Sequence, residues 1–304
     1  MDQETTAQVI EHNRRLHDAE GYAAWYDEHC GIMAHPWERT LFESDVRAIA
    51  DLLAPVEGKT ILDVGCGTGS LTVLLMEHGF STVGLDLSDS MLAQLRQNAE
   101  RKGLGGRLRT FAVASDEFLS DGEERFAAIV FSAVLHHLPD YLGTLRLAAE
   151  RLAPGGLIYI VHEPSRSDRI GWAARCLERI DKFLYELPGT LRRQWRELRE
   201  QGFVRGLAGK VKRKLSRRAQ AGKPTDAAPA ADWSLVDFHS NRGGCDEEAI
   251  AETLRQAGLS VDMQRYDSKR LRVFHALARL LHTKRMVRVF AQRDSEPTEA
   301  KRKE

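Results

Sequence analysis

The chain has 304 residues, 42% of them hydrophobic, which suits one large core or one domain carrying a sizeable insertion and leaves two equal domains a tight fit. No stretch approaches the ~18 consecutive apolar residues of a membrane span, and the polar, acidic start MDQETTAQVIEHNRRLHD is unlike a secretion signal, so a cytoplasmic protein is expected. The 44 basic residues balance the 44 acidic ones overall, and four scattered cysteines, Cys30, Cys66, Cys176 and Cys245, show neither CxxC pairing nor zinc spacing, which argues against a disulfide framework and a structural metal.

The first 55 residues read as helices, with Leu41, Val46, Ile49, Leu52 and Leu53 of TLFESDVRAIADLL on one face. The period then changes. KTILDVG is a strand ending at glycine, SLTVLLMEHG a helix closed by Gly79, STVGLDL a second strand, and SDSMLAQLRQNAERKG a helix from a Ser/Asp cap to Gly103. RLRTFAVAS and FAAIVFSAV add two strands, YLGTLRLAAERLAPGG a helix stopped by Pro154 and its glycines, and LIYIVHE a fifth strand. From Arg166 to about Ala221 the chain is helical and basic, with AGKPTDAAPAAD reading as a flexible link. The segment from Pro164 to Lys223 holds 17 Lys and Arg against 6 Asp and Glu, and the remainder 27 against 38, so one segment is electrostatically unlike its host. Helix DEEAIAETLRQAG, strand LSVDMQRYD, helix KRLRVFHALARLLHTK and strand MVRVFAQR follow, and a disordered tail is expected from Asp294.

Alternating strands and amphipathic helices predict a doubly wound, mostly parallel sheet with helices on both faces. In such sheets ligands sit at the carboxyl ends of the strands. The first such end carries ILDVGCGTGS, Ile61 to Ser70. A nucleotide triphosphate loop needs GxxxxGK[ST], and no lysine lies between Thr60 and Arg101. A nicotinamide loop wants GxGxxG, and Ser70 stands where its third glycine belongs. What remains is GxGxG behind Asp63, a carboxylate that would repel a pyrophosphate and welcome an ammonium group.

ILDVGCGTG, then VGLDLS, VLHHLPD and LAPGGLIYIV, resemble the motifs of the class I S-adenosylmethionine-dependent methyltransferases, of the group that includes quinone-biosynthesis and other small-molecule enzymes. The resemblance covers roughly residues 20–163 and returns near 240–293. It implies a Rossmann-like, seven-stranded sheet. Lid helices would occupy 1–55, the methyltransferase core 56–165 and 236–293, a basic helical insertion and linker after the fifth strand 166–235, and the tail 294–304. It further implies that Gly65, Cys66, Gly67 and Gly69 let the backbone approach the methionine part of the cofactor, with Asp63 near its amino group. Asp86 would take the ribose hydroxyls, and Leu87 and Met91 would flank the adenine. Asp116, among Ala114 to Asp116, is the candidate acid for the adenine amino group, Ser132 ends the fourth strand beside the cofactor, and Tyr26, sharing a helix face with Tyr22, would close over it. The acid that the family often carries after phenylalanine in the fourth strand is replaced by Ala127.

An activated methyl group needs only an aligned nucleophile and the exclusion of water. A hydroxyl acceptor can still use a general base, and histidine suits that role. His136, His137, His162, Glu163 and His239 lie at the expected sheet edge, with His239 and His137 the candidates for base; each can equally be a packed, hydrogen-bonded structural residue. The expected reaction is methyl transfer from S-adenosylmethionine to an oxygen, or else a carbon or nitrogen, of an apolar small molecule, without a metal. The rival readings are a nicotinamide-dependent oxidoreductase and a non-catalytic cofactor-binding scaffold. The basic insertion reads as a lid over the acceptor, as a surface for anionic membrane, or as a nucleic-acid contact, the last disfavoured because no [DNS]PP[YFW] run ends the fourth strand.

Overall fold

The computed structural model describes residues 3–29, 36–56, 59–166, 172, 176–177, 179–180, 233–236, 238–239, 243–267, 276–278, 280 and 285–294. Most of the expected insertion and linker, with Trp195 and Phe203, and the tail beyond Asp294 lie outside the described residues. The chain divides into two compact units, one of residues 1–170, 231–268 and 284–304, the other of 171–230 and 269–283. In the second unit Leu177 and Ala278 are buried, while Trp172, Ile180, Leu277 and Leu280 are exposed.

The first unit opens with three helices, α1 (Gln3–His17), α2 (Tyr22–His29) and α3 (Pro36–Leu52). β1 (Thr60–Val64), α4 (Ser70–Glu77), β2 (Ser81–Asp86), α5 (Asp89–Arg101) and β3 (Leu108–Ala112) then alternate. α6 (Ser115–Asp121), β4 (Phe126–Ser132), α7 (Tyr141–Glu150), β5 (Leu152–Pro164), α8 (Trp233–Val236), α9 (Glu247–Gln256), β6 (Leu259–Tyr266) and β7 (Met286–Arg293) complete it. The strands form one seven-stranded sheet in the order β3-β2-β1-β4-β5-β7-β6. β7 runs antiparallel to β5 and β6, and the remaining neighbours are parallel. This is the doubly wound, mostly parallel sheet that the alternation predicts.

The two-residue period of a buried strand explains the layers. Ile61 of β1 packs with Phe42, Val46, Ile49 and Leu53 on one face, and Leu62 and Val64 pack with Leu145, Ala148, Ile250 and Leu254 on the other. α3 is clamped to the sheet by a buried polar knot as well. Tyr159 donates its hydroxyl to Asp45 at 2.6 Å and Arg288 donates to the other Asp45 oxygen at 2.7 Å, so all three groups are satisfied away from water.

Two local readings are corrected. α7 ends at Glu150, and β5 already begins at Leu152, so Pro154 and Gly155 fall in an irregular start of the strand, where the pairing register slips between Phe126 and Ala128, and do not stop the helix. Between β3 and β4 the chain forms α6, which the sequence did not suggest: its seven residues bury only Leu119.

Candidate functional site

β1 stands between β2 and β4, and the chain after β3 crosses over it to begin the other half of the sheet. That reversal opens a crevice at the carboxyl ends of β1 and β4. A cleft of about 1070 Å³, partly open to solvent, occupies it, with a smaller hollow of about 450 Å³ beside it. Tyr26, Gly65, Gly67 and Ala133 line both.

The loop after β1 follows from its glycines. Gly65, Gly67 and Gly69 all have positive φ, at 67°, 53° and 89°, a region that other residues enter only at a cost. A Cβ at Gly65 would meet Val134 at 2.2 Å, whereas one at Gly67 would meet nothing within 4 Å. Gly65 therefore serves packing, and Gly67 bares its backbone to the cavity. Cys66 donates its N–H to Leu85 O at 2.9 Å, with its thiol against Gly84. Burial pushes that thiol well above its ordinary range.

Two carboxylates flank the loop. Asp86 accepts from Gly67 N and from Ser88 N, both at 2.9 Å, and burial raises its pKa against the pull of those bonds. Asp63 is 1% exposed and accepts from Thr72 Oγ1 at 2.6 Å through one oxygen; its other oxygen is buried with no partner. Burial, opposed by the Thr72 bond and reinforced by the Asp86 charge, pushes its pKa up to about 7. A buried polar atom without a partner costs stability and asks for an explanation.

Each residue singled out in the sequence has a definite place. Leu87, Met91 and Asp116 line the larger cleft with Asp86. Asp63, Cys66, Gly69 and Ser132 line the hollow. Asp116 also accepts from Thr144 Oγ1 at 2.6 Å, which ties α6 to α7. Tyr26 reaches both cavities, while Tyr22 is buried against Trp25 and Tyr26. His162 has φ 64°, lies 3.3 Å from Tyr266 Oη and is not among the lining residues of either cavity.

The histidines separate by their bonds. His137 lines the cleft and donates from Nδ1 to Val236 O at 2.5 Å; in a neutral ring that tautomer puts a lone pair on Nε2. Burial, with His136 and His17 nearby, holds it well below the usual histidine range. His239 Nε2 lies 2.9 Å from Leu138 O and 3.1 Å from Pro139 O, so that nitrogen is a donor, and the ring packs edge-on to Tyr141. It fastens the loop after β4 and lines neither cavity. Glu163, fully buried, accepts from the backbone N–H of Val134 at 2.7 Å, Leu135 at 2.9 Å and His136 at 3.2 Å, and meets His136 Nδ1 at 2.8 Å. It holds the turn that presents His137. Ala133 enters that turn at φ 55°, backbone strain of the kind that collects at functional sites.

Sequence reasoning expected lid helices over 1–55 but named none of the residues by which α1 forms a wall. Thr6, Val9, Ile10, Asn13 and His17 line the cleft. Asp18, just past the helix, accepts from Ser88 Oγ at 2.6 Å and Ser90 N at 3.1 Å, which docks α1 beside Asp86. The helical spacing of Thr6, Val9, Ile10, Asn13 and His17 was the available signal.

A family model described as a methyltransferase domain matches residues 37–264, well over half of the chain. The chain belongs to that family, and its sheet is the Rossmann-like methyltransferase fold. It is 39% identical over 106 residues to the ubiquinone biosynthesis O-methyltransferase of Paramagnetospirillum magneticum, a match covering 35% of this chain and 41% of that one. The protein of the same name from Coxiella burnetii is 32% identical over 104 residues, covering 34% and 43%. The chain thus spans less than half the length of these curated relatives. Among solved structures, an O-methyltransferase family protein from Burkholderia thailandensis superposes with a TM-score of 0.54 at 14% identity, over 93% of this chain and 63% of that one. Magnesium protoporphyrin IX methyltransferase from Synechocystis, solved with bound SAH, gives 0.50 at 14%, over 94% and 100%. At such identity they share the fold.

Proposed function

We propose that this protein transfers the methyl group of S-adenosylmethionine to an oxygen of a small, largely apolar molecule. The observation that carries the reading is the unpartnered Asp63 oxygen, on the same glycine loop whose Gly67 N–H is held by Asp86 and whose Gly67 Cα has open space beside it. A buried carboxylate oxygen without a donor suits the cofactor's ammonium group. Each Asp86 oxygen already accepts one N–H and retains a lone pair for a ribose hydroxyl. Leu87 and Met91 offer apolar faces for the adenine. These groups lie in joined cavities, so one nucleoside of an amino acid can meet all of them.

When bound, S-adenosylmethionine supplies a methyl carbon already activated by its positive sulfur. The protein's share is placement. The Gly65–Gly69 loop and Asp63 fix the amino-acid end, and Asp86 fixes the ribose. α1 and Tyr26 cover the cleft and keep water out. His137, neutral because of its burial, takes the acceptor's hydroxyl proton on Nε2 while its Nδ1–H stays on Val236 O.

Oxygen as the accepting atom is supported by the relatives that carry the name O-methyltransferase, and an apolar acceptor by Val9, Ile10, Leu138 and Pro139 along the cleft. Among the described residues no helix is long and apolar enough to cross a membrane. The basic excess between Pro164 and Lys223, with Trp172 and Ile180 exposed, supports peripheral contact of a cytoplasmic protein with anionic membrane. Calorimetric titration with S-adenosylmethionine, S-adenosylhomocysteine and NADH tests the cofactor: binding of the first two and not the third is expected, and binding of NADH alone would overturn the reading. Co-sedimentation with phosphatidylserine vesicles, with and without residues 166–223, tests the membrane contact; equal sedimentation of both forms would overturn it.

A further inference from the structure

We infer that Asn13, on α1, selects the methyl acceptor: its side-chain oxygen accepts a hydrogen bond from an O–H or N–H group of that molecule other than the group methylated. The inference rests on the methyl-transfer reading and adds to it a chemical requirement on the acceptor.

Asn13 is 6% exposed and lines the cleft. Its amide nitrogen donates to Val9 O at 2.9 Å and, less closely, to Leu235 O at 3.4 Å. Those two carbonyls fix which way the amide faces. Turned over, it would set its oxygen against two oxygens that can only accept. The amide hydrogens thus stay inside the protein, one on α1 itself and one on α8. Among the described residues nothing donates to the oxygen, which is not one of the atoms sealed in the interior. What Asn13 offers the cleft is an acceptor and no donor.

The cofactor leaves that oxygen unused. S-adenosylmethionine carries its hydrogen-bond donors on the ammonium group, the ribose hydroxyls and the adenine amino group. On the methyl-transfer reading each of these has a carboxylate: Asp63 with its unpartnered oxygen, Asp86 with its remaining lone pairs, and Asp116 in the cleft wall. The Asn13 oxygen remains for the second molecule. Its place agrees. α1 lines the cleft from Thr6 to His17, a run of about 16 Å at about 1.5 Å per residue. The Asp18 bonds to Ser88 and Ser90 hold the His17 end beside Asp86. Asn13 lies one turn further along, tied to the short helix whose Val236 carbonyl holds His137.

The group that reacts does not supply this bond. A hydroxyl that is methylated gives up its proton, and an amide oxygen is too weak a base to take it. A hydrogen bond that lasts through the reaction comes from another group. Val9, Ile10, Leu138 and Pro139 of the same cleft are apolar, so an acceptor molecule lacking that second donor would cover the Asn13 oxygen and leave it unpaired. A site built around a hydrogen bond rejects such a molecule more strongly than an apolar pocket rejects a misfit.

The experiment compares wild type, Asn13→Leu and Asn13→Asp. Affinity for S-adenosylhomocysteine is measured by calorimetry, and transfer of radiolabelled methyl from S-adenosylmethionine is followed over a dilution series of an organic extract of the source cell. Asn13→Leu keeps the volume and loses the acceptor, whereas Asn13→Asp keeps an acceptor and loses the bond to Leu235. S-adenosylhomocysteine affinity is expected to be unchanged in both variants. Transfer at limiting extract is expected to fall about 10- to 100-fold in Asn13→Leu and less than about tenfold in Asn13→Asp. Wild-type transfer by Asn13→Leu would overturn the inference. So would an equal fall in both variants, which would make Asn13 a strut between α1 and α8, or a loss of S-adenosylhomocysteine affinity by the same factor as transfer. A last measurement needs no variant and decides even where the variants fail to fold: the labelled product of wild type, weighed by mass spectrometry in ordinary and heavy water, is expected to keep at least one exchangeable hydrogen, and a product with none would overturn the inference. A wild type that binds no S-adenosylhomocysteine removes the methyl-transfer reading itself, and one that binds it yet labels nothing overturns both.

Discussion

Replacing Asp63 by asparagine isolates the carboxylate that the fold leaves short of a partner. The folded chain holds this proton up to about 7, against an ordinary value of 3.8, because burial penalises the charge. Between those values the folded state binds more protons than the unfolded one, so this group's contribution to stability is fullest below 3.8 and declines as pH rises to about 7. At about 1.4 kcal/mol per pH unit, the remaining decline from about pH 5 to about pH 8 amounts to about 3 kcal/mol. The asparagine cannot titrate and can still accept from Thr72, so urea unfolding of wild type and variant should diverge by about 3 kcal/mol over that window, with the variant gaining at the alkaline end. The ligand arm runs oppositely. An ammonium group binds the ionised carboxylate, so near pH 6.5 cofactor binding should release about 0.8 proton from wild type and none at this position from the variant, measured by calorimetry in buffers of different ionisation enthalpy. The asparagine chain should also bind cofactor at least about tenfold more weakly. Parallel stability curves, or binding without proton release, would refute the reasoning.

Four further substitutions separate the parts of the site. Gly67→Ala adds a Cβ that meets no protein atom within 4 Å; it should fold with a backbone cost of about 1–2 kcal/mol and lose most S-adenosylhomocysteine affinity in calorimetry. Gly65→Ala drives its Cβ to 2.2 Å from Val134, so its main effect should be on urea unfolding, about 1–3 kcal/mol for overpacking in addition to the same backbone cost. Asp86→Ala removes a charged acceptor and should weaken cofactor binding by about 1.5–3 kcal/mol, seen as a roughly 10- to 150-fold rise in Kd. Glu163→Ala leaves the buried N–H groups of the 134–136 turn without their acceptor and should cost about 3–5 kcal/mol in unfolding experiments. An unchanged unfolding midpoint there would show that the turn holds itself.

The sheet was legible because its central strands β1, β2 and β4 are short, apolar and buried along nearly their whole length, and because the helices after β1 and β2 carry their own stops at Gly79 and Gly103. Where two signals overlapped, the reading slipped. APGG after α7 looks like a helix stop, yet Leu152 already pairs with Phe126, and the bulge absorbs Pro154 and Gly155. α6 left no trace because seven residues burying one leucine have no measurable period. The cofactor-side candidates could be read for a similar reason, since Gly65 to Gly69 and Asp86 sit at strand ends whose positions the alternation itself sets. His17 could not be read so. Its place depends on how α1 lies across the sheet edge, which Asp18 and Asn13 decide through partners at Ser88 and Leu235, far along the chain.

The same physics explains why two nearby histidines that look alike in sequence part company in space. His239 and His137 both sit at the carboxyl edge, and what divides them is which nitrogen is already used. His239 turns Nε2 to two carbonyls of the loop after β4, and that bonding makes it a fastener. His137 turns Nδ1 to Val236 and lines the cleft. The polar groups at this edge differ in one respect: Glu163, Asp140 and His239 have their bonds within the protein, whereas Asp63 leaves one oxygen unpaired. A buried carboxylate oxygen without a partner asks for an explanation, and on the reading proposed above a cation at Asp63 would complete it, with hydroxyls on the remaining lone pairs of Asp86.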